Sequence, residues 1–239
     1  MDFNQTEGTM WKVIKFFNKR LNEMLCVRLK IKIRRGRFPN IEKNTFNVMH
    51  NKAWGSVHPE YDNVFTTKCV DLGNPITIDT KREQSCGRGF WGEHIVKDWI
   101  SGMFMGRVTP KIHNVTVEFD LLQKGAFDAV WFIKDSKRYR EVDIERTDNQ
   151  ILVSVHDGDS SSEGRKLYNH AYPLPQSKVR FTFKFGWFTR VYMNDVLIFV
   201  GLQWRLKGWA TFIVNSGVLP SAEERSEGTL KVYNIEHYE

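Results

Sequence analysis

The sequence predicts an all-β protein, an antiparallel sandwich preceded by a basic N-terminal arm. Three observations carry this. From about Pro39 onward, short runs rich in Val, Ile, Phe, Tyr and Trp recur, punctuated by Gly, Asn, Asp and Pro. No long helical period separates them, as alternating helices and strands would require. The chain has 239 residues, a length at which all-β sandwiches and barrels run as one domain.

Two parts follow from the charge pattern. Residues 1–37 hold 10 Lys/Arg against Asp2, Glu7 and Glu23, a net +7, and residues 38–239 hold 25 of each sign. The pI near 9.3 therefore belongs to the arm. The domain of residues 38–239 has no basic excess with which to hold nucleic acid, so no specific nucleic-acid partner is expected. In the arm, Met10, Ile14, Phe17, Leu21 and Met24/Leu25 follow helical spacing on one face, with Lys12, Lys15, Lys19 and Arg20 mostly elsewhere. From Val27 to Arg34, apolar and basic residues alternate, which suits a strand exposed on one face. Such an arm fits a membrane surface, an acidic partner or nucleic acid, and equally a helix packed on its own domain with its lysines in water.

In the domain, the predicted strands are VTVEFDLL (115–122), FDAVWFI (127–133), YREVDIER (139–146) and QILVSVH (150–156), then VRFTFKF (179–185), TRVYMN (189–194), VLIFVG (196–201), ATFIVN (210–215) and TLKVYNIEHY (229–238). Turn signals such as DGDSSSEGR and MND separate neighbours. The 17 Phe, 8 Trp and 7 Tyr supply a large core, and a chain this long needs no covalent staples. Cys26, Cys69 and Cys86 are odd in number and widely spaced, which argues against a disulfide framework or a zinc site. No apolar run reaches the ~18 residues of a membrane helix, and the N-terminus lacks the cleavage pattern of a secretion signal.

The stretch YREVDIERTD (139–148) carries the chemistry. On a strand, alternate residues share a face. Tyr139, Glu141, Asp143 and Glu145 therefore point one way, and Val142 and Ile144 point the other toward a core. Like charges stacked on one strand face repel, and Arg140 and Arg146 have the wrong parity to neutralise the row. A purpose is needed. A retaining glycosidase uses two carboxyls roughly 5–5.5 Å apart, one as nucleophile and one as acid/base. The Cα atoms of Glu141 and Glu145 would lie about 13 Å apart, a gap that long side chains leaning together largely close. Asp143 between them separates their pKa values by holding a proton or a hydrogen bond. Calcium is the rival use of three acids, but its ligands come more often from loops that wrap the ion.

EVDIE (141–145) resembles the E-x-D-x-E signature of glycoside hydrolase family 16, the lichenase, laminarinase and xyloglucan endotransglycosylase group. The five-residue form resembles the lichenase and xyloglucan branch, which lacks the extra residue of laminarinases. GAFDAVWFIKD (125–135) resembles the strand before the catalytic one. FKFGWFTRVYMNDVLIFV (183–200) resembles a strand turning at W-Y-V-D-G, with Asn194-Asp195 at the turn. WATFIVNSG (209–217) resembles the M-N-L-W strand with Asn215 at its asparagine, and the resemblance runs in order over about 52–239. It implies a concanavalin A-like β-jelly-roll sandwich of two curved antiparallel sheets. It also implies Glu141 as nucleophile, Asp143 as assisting acid and Glu145 as acid/base, without a cofactor. Arg146 departs from it, standing where the lichenase branch has an aromatic. Lys231 stands near a position at which many members place a calcium ligand, so no metal is carried over.

Sugars stack their C–H faces on aromatic rings and need placed polar partners. Tyr139 stands two before Glu141, where lichenases place a tryptophan. Trp131 falls on the preceding strand and His156 on the next, where the family offers an aromatic or histidine. Asn215 is positioned to bond a sugar hydroxyl or the nucleophile. These four are the expected substrate-binding residues. The expected function is a retaining endo-glycoside hydrolase or transglycosylase on a β-linked polysaccharide. The alternative is a catalytically silent glycan-binding or structural jelly roll. Without a secretion signal, one route to a polysaccharide is assembly into a larger particle, such as a phage virion, with residues 1–37 as the protein-docking segment.

Overall fold

The computed structural model describes residues 35–37, 41–44, 56–57, 61–89, 92–108, 114–120, 127–134, 138–147, 150–159, 165–175, 178–185, 188–201, 210–220 and 227–238. The arm helix and the alternating 27–34 stretch lie outside the described residues. Residues 35–239 form one compact unit.

The strands, in chain order, are β1 (Arg35–Arg37), β2 (Glu42–Asn44), β3 (Val64–Phe65), β4 (Val70–Asp71), β5 (Ile76–Arg88), β6 (His94–Ser101), β7 (Met103–Val108), β8 (Asn114–Phe119) and β9 (Asp128–Lys134). Then come β10 (Arg138–Arg146), β11 (Gln150–Asp159), β12 (Arg165–Pro173), β13 (Val179–Lys184), β14 (Thr189–Met193), β15 (Val196–Gly201), β16 (Ala210–Asn215) and β17 (Gly228–Tyr238). Among the described residues no helix is long and apolar enough to cross a membrane, and the only helical piece is a 3-10 turn at Thr67–Cys69.

Two sheets result. The larger runs β15-β14-β13-β8-β17-β5-β6-β3, with β1 added on β17 and β4 on β5. The smaller runs β12-β11-β10-β9-β16-β7-β2. Among the described strands, pairing is antiparallel except between β3 and β6. All nine predicted strands are present, with ends shifted by a few residues at most. The hairpin between β14 and β15 turns on Asn194 (φ 47°) and Asp195 (φ 66°), two residue types that tolerate left-handed backbone. Asn194 Oδ1 accepts from the Arg180 amide at 2.9 Å and closes this turn onto β13.

The sandwich core follows strand parity. Phe104, Val130, Phe132, Val142, Ile144, Phe212 and Val214 of the smaller sheet meet Val115, Val117, Phe181, Phe183, Val191 and Leu230 of the larger. The odd residues of β7, β9 and β16 face the other way and form a second apolar cluster. Met103, Met105, Ala129, Trp131, Ile133 and Ile213 pack there with Tyr61, Phe65 and Phe127. This explains why 127–133 is apolar at nearly every position: β9 is buried on both faces. Of the cysteines, Cys69 is buried, which pushes its thiol up to about 11, whereas Cys86 is exposed.

Candidate active site

The acid row lies on the outer face of the smaller sheet, near its middle. Val142 and Ile144 on the inner face hold β10 in register, because a one-residue slip would send three carboxylates into the core. Glu141 sits across from Ile133 on β9 and His156 on β11. Asp143 sits across from Trp131 and Ser154, and Glu145 from Ala129 and Leu152. Each acid thus has an apolar wall on its β9 side. On the β11 side, the neighbours of Glu141 and Asp143 are polar. Low-dielectric walls strengthen the mutual influence of the carboxyls. Glu141 and Asp143 are 7% and 4% exposed, and Glu145 is more open.

His156 is 22% exposed at its side chain, and its Nε2 stands 3.3 Å from Asp143 Oδ2. Asp143 Oδ1 is buried without a hydrogen-bond partner. One oxygen of the central acid therefore faces His156, and the other is buried between the flanking positions. Ser154 is fully buried and was not anticipated from sequence. Its spacing, two before His156, was the available signal.

Trp131 and Asn215 are brought together. The Trp131 indole N–H donates to Asn215 Oδ1 at 2.9 Å, and Asn215 Nδ2 donates to the Tyr61 hydroxyl at 3.0 Å. All three side chains are buried, Asn215 completely. The tryptophan that stands beside Asp143 is thus held by Asn215, which is itself bonded to Tyr61, 154 residues from Asn215 in sequence. Tyr139 lies on the same strand as the acids, paired with Gly158. Its side chain lies outside the described residues. Asn215→Ala is expected to leave the Trp131 N–H buried and unpaired, at a cost of about 2 kcal/mol. A denaturant midpoint equal to wild type would show that this bond does not hold the tryptophan.

Arg146, the departure from the family pattern, forms a buried ion pair. Its Nε donates to Asp128 Oδ2 at 3.1 Å, with side-chain exposures of 4% and 0%. The two face each other across β9 and β10 on the inner side of the sheet. Burial pushes the Asp128 carboxyl up, while Arg146 and the Ser216 hydroxyl pull it down. Among the described residues no three His, Cys, Asp or Glu side chains are grouped to hold a metal ion.

The two-sheet architecture is that of a jelly-roll sandwich, the fold also found in laminarinases, a carrageenase and a lichenase. No protein-family model matches the chain, and no curated protein sequence matches it. Solved structures do. The laminarinase catalytic domain of Thermotoga maritima is 15% identical, with 85% of this chain and 99% of that one covered at a TM-score of 0.60. A LamA variant of Zobellia galactanivorans, in complex with laminaritriose and laminaritetraose, is 13% identical over 88% of this chain and 99% of that one, at 0.65. The kappa-carrageenase of Pseudoalteromonas carrageenovora, in complex with an oligotetrasaccharide of kappa-carrageenan, is 14% identical over 88% and 97%, at 0.61. The chain has the jelly-roll fold of these glycoside hydrolases.

Proposed function

We propose that this protein is a retaining, endo-acting glycoside hydrolase or transglycosylase on a β-linked polysaccharide. The observation that carries the reading is the row Glu141, Asp143, Glu145 on the outer face of β10 in this fold. Glu141 attacks the anomeric carbon while Glu145, protonated, gives its proton to the leaving glycosidic oxygen. The glycosyl-enzyme bond to Glu141 then breaks as Glu145, now the base, takes a proton from water or from an acceptor sugar hydroxyl. Asp143 stands between Glu141 and Glu145 as the assisting acid, with His156 at its Oδ2. It thereby keeps the glutamates in different protonation states.

The roles around the acids follow the same geometry. His156 orients Asp143 and, being part-exposed, reaches a sugar hydroxyl. Trp131 forms the apolar wall at the cleavage point. Asn215 acts on substrate through Trp131, since both of its amide atoms are already bonded to protein. Tyr139, two before Glu141 on β10, is proposed from the sequence pattern alone as a stacking residue.

The test is reducing-end release from mixed-linkage glucan, laminarin, xyloglucan, agarose, carrageenan and bacterial capsule, with Glu141→Gln alongside wild type. Activity on one polysaccharide, lost in the variant, is the expected result. Glycan binding with no turnover on any of them would instead favour the silent binding module.

A further inference from the structure

A buried cluster of hydroxyls stands beside the ion pair behind the acid row, and the Ser216 hydroxyl pulls the Asp128 carboxyl down. Beyond Asp128, Ser216 and Thr80 hydroxyls stand 3.1 Å apart, and Thr80 and Ser101 hydroxyls 2.8 Å apart. Ser101 Oγ also donates to the Ser216 carbonyl at 2.7 Å. Thr80, Ser101 and Ser216 are completely buried. The array of pair and cluster starts on β10, crosses β9 and the end of β16, and finishes on β5 and β6 of the larger sheet. It therefore ties the two sheets together by polar contacts at one end of an otherwise apolar sandwich.

Its placement relative to the site is specific. Arg146 follows Glu145 directly, and Asp128 precedes Ala129, the residue across from Glu145. Ser216 follows Asn215, which holds Trp131. The pair thus brackets the Glu145–Ala129 position from the end of β10 and the start of β9. Stability does not explain the pair: buried ion pairs are commonly matched or exceeded by apolar residues of similar volume. Asp128 Oδ1 also has no hydrogen-bond partner, a deficit that a purely structural device would be expected to have lost.

We propose that Asp128 and Arg146 are positioning residues for the acid row, fixing the end of β10 so that Glu145 meets the glycosidic oxygen. The proposal rests on the glycosidase reading above. Its charge lies on the inner face, so it acts through backbone placement, not through contact with sugar.

The experiment compares wild type with the double variant Asp128→Leu, Arg146→Met, and with Arg146→Lys. Three quantities are read: thermal midpoint, kcat and KM on the polysaccharide found above, and amide hydrogen exchange across residues 143–147. The double variant is expected to melt at or above wild type. Its kcat is expected to fall about 10- to 100-fold, the cost of a misplaced catalytic group. KM stays within about twofold, because ground-state contacts are intact. Exchange across 143–147 accelerates. A double variant with wild-type kcat and exchange overturns the proposal. If the double variant does not fold, Arg146→Lys decides. It keeps the charge and loses the fork, so slower turnover with faster exchange confined to 143–147 supports positioning, and loosening spread over both sheets overturns it. Wild type without turnover on any polysaccharide counts against the glycosidase reading instead, and the exchange measurement still tests the positioning.

Discussion

Glu141→Gln is expected to lower kcat on the substrate polysaccharide by about 10⁴- to 10⁶-fold, the scale on which removal of a covalent nucleophile acts. The substitution changes one oxygen to an amide and keeps the volume, so the fold and the thermal midpoint should hardly move. What is lost is the negative charge that attacks the anomeric carbon. Wild-type-like binding of the oligosaccharide with no turnover separates this outcome from misfolding. Glu141→Ala adds a sharper readout. It leaves room beside the anomeric carbon, and azide ion entering from that side should restore cleavage and give a glycosyl azide of inverted configuration. Glu145→Ala with azide should give the retained configuration, because the nucleophile is then still present and the missing group is the base. Exchange of these two stereochemical results would reverse the assigned roles. Retention of activity in Glu141→Gln would remove the glycosidase reading.

The acid row was legible in the sequence because a period of two needs no register: five residues, EVDIE, are enough to put three acids on one face and two aliphatics on the other. The neighbours of the row were less legible. Trp131 could be placed on the adjoining strand, yet only the pairing shows it directly across from Asp143. On β9 every residue from Asp128 to Ile133 is buried, so alternation is invisible and either parity reads as core. The partner of Asn215 lies 154 positions away at Tyr61, a separation no local pattern reports. Arg146 was visible as a departure, but its reason, Asp128 eighteen residues earlier, appears only with the β9–β10 register. Strands β5 and β12 were not predicted because their sequences are polar. Lys81 to Gln84 of β5 are exposed where it leaves the sandwich to pair with β6. β12 pairs only with β11 among the described strands, and it ends on Pro173, as an edge strand can.

The largest expected effect on stability comes from Phe132→Ala, and it tests the site as well as the core. Phe132 is completely buried. Its ring centroid lies 4.5 Å from Phe183, 5.1 Å from Phe185 and 5.0 Å from Phe212, so it joins the two sheets at the middle of the sandwich. These neighbours sit on or beside strands fixed by ladder hydrogen bonds and cannot collapse far into the space a removed ring leaves. The expected cost is about 3–5 kcal/mol. For a chain of this size, with about 2–4 °C per kcal/mol, the thermal midpoint should fall by roughly 10 °C. Phe188→Ala is the control: that ring is 46% exposed, and its loss should stay within about 0.5 kcal/mol. Phe132 is directly across from Val142, the residue between Glu141 and Asp143. Because strand faces alternate, Phe132 and the acids cannot both point inward. A thermal midpoint that did not move would place Phe132 on the outer face, turn the acid row into the sandwich interior and remove the proposed catalytic site with it.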